Sequence, residues 1–189
     1  MKKKKTLSPQ AQESIKKLEE YKLVLEMFGK RSSDSESLYS VQLSNGKNRY
    51  SLGTQVRHVL DYYQNLLNGF DLEKASDFED GEVRIDYQKR ERNQLIEKNI
   101  EVALEKIDQL IENLRRLCEQ IDDNLLIYQR NNAEENKWQR LDFAVALQNN
   151  CGHAVHHAET IKSIIHKFYG DFKFPSTFEI DTSTQKKKL

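Results

Sequence analysis

Residues 96–121 read IEKNIEVALEKIDQLIENLRRLCEQI. Ile96, Ile100, Ala103, Leu104, Ile107, Leu110, Ile111, Leu114, Leu117 and Ile121 recur at intervals of three or four, with charged residues between them. At about 3.6 residues per turn this pattern places the apolar side chains on one stripe of a helix. A helix of this kind must bury that stripe against other helices or a sheet. C-terminal to it, Leu125-Leu126-Ile127-Tyr128 reads as a short strand or an apolar strap, and Arg130 to Asn136 as polar loop. A last helix is expected from about Lys137 to Phe168, its inner face Leu147, Cys151, Ala154, Val155, Ala158, Ile161 and Ile165. N-terminal to it, Asn68 to Asn93 is acidic and then basic with no clear period, which suggests a crossover connection. Leu52, Val56, Val59, Leu60, Tyr63 and Leu67 predict a helix over about Ser51 to Leu67. Gly29 to Arg49, rich in Ser, Asp, Asn and Gly, reads as a long loop, a lid or rim. The first helix starts after Ser8, a suitable N-cap, with Pro9 at its first position and Ala11, Ile15, Leu18, Leu25 and Phe28 inward.

Four long amphipathic segments with two long connections predict an all-α fold, a four-helix bundle with crossovers. A chain of 189 residues suits one domain. We place it at residues 9–169, between a disordered basic N-terminal tail, 1–8, and a C-terminal tail, 170–189. Lys and Arg balance Asp and Glu at 30 each, so no overall field draws the chain to nucleic acid or an anionic membrane. The lysines at Lys2 to Lys5 and Lys186 to Lys188 read as solvated tails. With no apolar run near the length of about 20 residues needed for a span, and no signal-type segment, a cytoplasmic protein is expected. Cys118 and Cys151 sit at apolar helix positions and read as buried free thiols.

The chemistry concentrates in His153-Ala-Val-His156-His157. At about 100° per residue His153 and His157 share a stripe, while His156 lands roughly 60° away on the far side of His153. Imidazoles at i, i+4 form a two-point anchor for zinc or another divalent ion, and a working site needs a further ligand. His166 lies about 13 Å along the axis from His157, too far to join. His58 remains as the candidate, at the edge of its helix's apolar face beside Gln55 and Tyr62. The same spacing also arises among structural or surface histidines, so both readings stay open on spacing alone. Ala154 stands where a zinc protease would place its glutamate, which argues against peptide hydrolysis by that route.

Three motifs in order, Ser51-Leu-Gly53-Thr-Gln55-Val-Arg57-His58-Val-Leu-Asp61-Tyr-Tyr, Ile85-Asp86-Tyr87…Arg90-Glu-Arg92, and His153-Ala-Val-His156-His157, resemble the DinB-like family over about Gln10 to Phe168. That resemblance implies a four-helix bundle with a three-histidine divalent metal site, carried here by His58, His153 and His157. Relatives often have a histidine where this chain has Gln55. The implied ion is zinc, nickel or iron(II). The implied activity is that of a thiol-dependent S-transferase or isomerase, with a small-molecule substrate such as a low-molecular-weight thiol. In that reading Asp61 and Glu159 are candidates to orient ligand imidazoles. Arg57, Arg90 and Arg92 are candidates to clamp a substrate carboxylate or phosphate, and Tyr87 and Trp138 to line the pocket. The competing reading is a non-catalytic helical protein with vestigial or structural histidines and a partner-binding surface. Nucleic-acid binding through the lysine-rich ends ranks last. A bundle of this size often pairs through an outer helix face, so a homodimer is one expectation.

Overall fold

The structure, a computed structural model, describes residues 6–45, 48–70, 82–89, 91–130 and 137–178. Ser8 Oγ accepts from the Ala11 N–H at 3.2 Å, and Pro9 follows at the start of α1 (Pro9–Gly29), as the cap and proline predict. The next segment is not the structureless loop expected from its composition. It forms α2 (Ser35–Ser40) and an antiparallel hairpin of β1 (Leu43–Asn45) and β2 (Asn48–Tyr50). Tertiary anchors explain this. Ser35 Oγ donates to Phe28 O at 2.8 Å, and the fully buried Tyr39 donates its hydroxyl to Ile96 O at 2.9 Å.

Ser51 and Thr54 form a reciprocal capping box that starts α3 (Leu52–Asn68). Beyond it lie β3 (Val83–Asp86), α4 (Gln94–Lys98), α5 (Ile100–Gln120), β4 (Leu126–Arg130), β5 (Gln139–Asp142) and α6 (Phe143–Phe168). The apolar pattern of residues 96–121 is thus shared by two helices. Asn99, with extended φ and ψ of −135° and 119°, ends α4 and caps α5 by accepting from the Val102 N–H. The last helix starts at Phe143 rather than near Lys137, because residues 139–142 pair with β4. Leu126 to Arg130 is a strand, parallel to β3 and antiparallel to β5, in a sheet ordered β3-β4-β5. The fold is therefore mostly helical, with two small sheets where none was assigned with certainty.

Four long helices carry the core. Both α1 and α3 pack against α5 and α6. Leu18, Tyr21, Leu25 and Phe28 of α1, Val56, Leu60 and Tyr63 of α3, Ile107 and Leu114 of α5, and Leu147 and Ile161 of α6 are at most 1% exposed. Each such side chain stabilises by about 1.5–3 kcal/mol through burial. Packing also runs past the boundary expected at residue 169. Phe172 and Phe178 are buried, and the Lys17 ammonium, itself buried, donates to Thr177 O and Phe178 O at 3.1 and 3.2 Å. Aromatic residues and a buried cation's acceptors make residues 170–178 part of the body. The outer ends assigned as tails, 1–5 and 179–189, lie outside the described residues. Cys118 and Cys151 are buried and not joined in a disulfide. Among the described residues no helix is long and apolar enough to cross a membrane.

Candidate metal centre

The packing of α3 on α6 places Gln55, His58 and Tyr62 opposite Asn150, His153 and His157. On α3 the first three fall within about 60° of one another, and on α6 the second three do the same, so each set occupies one stripe. His58, His153 and His157 converge there, each half-buried, with one nitrogen apiece all within 4.8 Å of one another. Their ring centroids are 4.5 to 4.9 Å apart. Zinc–imidazole bonds of about 2.0–2.1 Å bring tetrahedral donors to roughly 3.4 Å from each other. Donors spread over up to 4.8 Å would have to draw together for one ion to meet all three. Neutral nitrogen donors in this number suit zinc, nickel or iron(II), so the residues fit a divalent ion.

The neighbours orient these rings. Gln55 Oε1 lies 2.7 Å from His157 Nδ1. A carbonyl oxygen only accepts, so Nδ1 carries the proton and Nε2 is left with its lone pair. Tyr62 stacks on His153 with centroids 3.7 Å apart and planes 20° from parallel. Tyr87 stacks in turn on Tyr62 at 4.9 Å. Burial pushes the Tyr87 phenol well above its ordinary range, so Tyr87 stays neutral. Asn150 Nδ2 donates to the Tyr62 carbonyl at 3.3 Å and ties α6 to α3 beneath the histidines.

Other candidate residues are placed elsewhere. Asp61 is paired with Arg57, which also donates to Glu97, so this carboxylate and this guanidinium meet each other. Asp61 projects about 60° to the other side of His58 on α3, toward α4 and α5. Glu159 is exposed on α6, and Arg92 is exposed before α4. Arg90 lies outside the described residues. Trp138 sits under Arg84 and Arg130, 5.8 and 5.0 Å from its ring, on the three-stranded sheet. His166 packs against Phe174. His156 is exposed, its ring 5.3 Å from that of His157 but not among the converging nitrogens. Sequence reasoning did not assign Tyr62 to the site, although its i+4 spacing from His58 places the two on one stripe. Compared with models of protein families, with curated proteins and with solved structures, the chain matches none.

Proposed function

We propose that this chain is a divalent-metal-dependent enzyme of the DinB-like, four-helix-bundle type, and that its reaction is S-transfer using a low-molecular-weight thiol. The observation that carries the reading is the convergence of His58 on α3 with His153 and His157 on α6, nitrogens within 4.8 Å. Those three residues hold the ion. A bound divalent cation supplies Lewis acidity that favours the thiolate form of a thiol near neutral pH. Gln55 fixes the His157 tautomer with Nε2 as ligand atom. Tyr62 and Tyr87 hold the His153 ring from one flank and keep water off that side. The choice of a thiol substrate is supported by the three ordered motifs that resemble the DinB-like family. A cytoplasmic location agrees with two cysteines not joined in a disulfide and with the compartment where small thiols stay reduced.

Elemental analysis of the untagged protein beside His157→Ala tests the site. The wild type is expected to retain about one ion per chain and the variant to lose it, which makes thiol-transfer assays the next step. If both are empty after metal is added back, the metal reading fails and the non-catalytic helical protein replaces it.

A further inference from the structure

Gly152 stands inside α6, one residue before His153. Glycine is less favourable than alanine in the interior of a helix, so its presence there calls for a physical reason. At Gly53 the reason lies within the chain, because an added Cβ would run into the Glu97 carbonyl and the Tyr39 ring. Gly152 is different: it is exposed, and a Cβ there would meet nothing within 4 Å among the described residues. The bare backbone leaves room for a molecule from outside the chain. Charge marks the same strip. Residues 143–158 contain no Asp, Glu, Lys or Arg, in a chain that is 32% charged. Val145, Gln148, Asn149, Gly152 and His156 are nevertheless exposed. On α5, by contrast, Glu101, Glu105, Asp108 and Glu112 occupy exposed positions. An exposed helix face without charged side chains suits a surface that an uncharged group comes to cover.

Helical arithmetic places this strip beside the histidines. Relative to His153, Gly152 falls about 100° around α6 on the side away from α3, with Asn149 and His156 between them at about 40° and 60°. Toward α3 the histidines are already in contact with protein, since Tyr62 stacks on His153 and Gln55 meets His157. On the α6 rim, Gln148 and Asn149 lie one turn before Gly152, to either side of it. We propose that Gly152 determines specificity: the non-reacting tail of the small-molecule thiol lies across α6 at this glycine, and that tail is uncharged and amide-like, hydrogen-bonded by Asn149 and Gln148. This inference rests on the metal reading, in which the thiol gives its proton to solvent and its sulfur meets the histidine site.

The test uses the full chain loaded with Co(II), whose near-ultraviolet absorption reports a bound thiolate. N-acetylcysteine N-methylamide is the tailed probe and 2-mercaptoethanol the tail-free one. Gly152→Leu is expected to weaken the tailed probe about tenfold or more, while the affinities for 2-mercaptoethanol and for Co(II) stay within about twofold of the wild type. Asn149→Ala is expected to weaken the tailed probe alone, by about threefold or more. Gly152→Ala is expected to raise the urea midpoint of the metal-free chain, because nothing inside the chain needs the glycine. A chain that binds no Co(II) ends the metal reading and this inference with it. Where Co(II) binds and Gly152→Leu weakens both probes alike, or neither, this inference alone is overturned. A urea midpoint lowered by Gly152→Ala also overturns it, as does a dimer that Gly152→Leu splits, which assigns the strip to a second copy.

Discussion

Gln55 governs which nitrogen of His157 is left to face its neighbours. Its Oε1 sits 2.7 Å from Nδ1, which holds the neutral imidazole in the tautomer with the proton on Nδ1 and none on Nε2. Gln55→Leu removes that acceptor and is expected to weaken zinc binding by about 10–100-fold, read by competition with a chromogenic chelator, with the fold intact by circular dichroism. Gln55→Glu keeps an acceptor at the same place and is expected to recover most of the loss. Equal affinity in the wild type and Gln55→Leu would show that the contact does not orient the ring. His153 and His157 were legible as a pair from helical arithmetic, because i, i+4 fixes a stripe whatever surrounds it, whereas His58 was a candidate by elimination and by the family resemblance. The surroundings of Asp61 were not legible. Its angle to His58 was fixed by the helix, but the sequence does not show that this flank faces α4 and α5, nor that Arg57, four positions before Asp61, takes its carboxylate.

Short sequence distances also set where helices meet. Gly53 in the first turn of α3 lies against α4, where an added Cβ would come within 2.7 Å of the Glu97 carbonyl carbon and 2.9 Å of Tyr39 Cε1. The nearest obstruction is backbone, so Gly53→Ala must push α4 away. It is expected to destabilise by about 1–3 kcal/mol in urea denaturation despite alanine's better helix propensity. Asn99→Ala removes the cap of α5 and is expected to cost about 0.5–2 kcal/mol by the same measurement. The long helices could be read because their apolar period persists over many turns. The break at Asn99 was hidden because Ile96 and Ile100, on either side of it, both face the core and continue the period. Strands β3 and β5 were hidden for another reason, and β4 was legible only as one of two readings, a short strand or an apolar strap. Four or five residues hold too little alternation to declare a strand, and the pairing of Val83–Asp86 with Ile127–Arg130 comes from a distant part of the chain. Gln139–Asp142 is polar enough to read as the first turn of a helix until β4 is beside it.

Across the whole molecule, the four buried phenols govern behaviour in base. Burial raises the pKa of Tyr21, Tyr39, Tyr63 and Tyr87 above the usual value near 10. The folded chain therefore keeps protons that the unfolded chain gives up above that pH. Their contribution is whole below about pH 10 and declines above it, each by about 1.4 kcal/mol per pH unit. Urea midpoints are expected to fall steeply beyond about pH 10, and less steeply in Tyr39→Phe. A chain ended at Gly170 loses Phe172 and Phe178 from the core and strips two carbonyls from buried Lys17. The expected loss exceeds about 5 kcal/mol, comparable to the stability of many domains, and a thermal melt should show little cooperative unfolding. This dependence was not legible in residues 170–189, because a short aromatic stretch near a lysine-rich end resembles a solvated tail. The split of the histidines between α3 and α6 has a last consequence, in time rather than in space. His153 and His157 are neighbours as soon as α6 coils, but His58 reaches them only after most of the chain has found its place. An ion gripped by all three would thus arrive late in folding and act chiefly as a latch, slowing the escape of α3 from α6 more than it speeds their meeting.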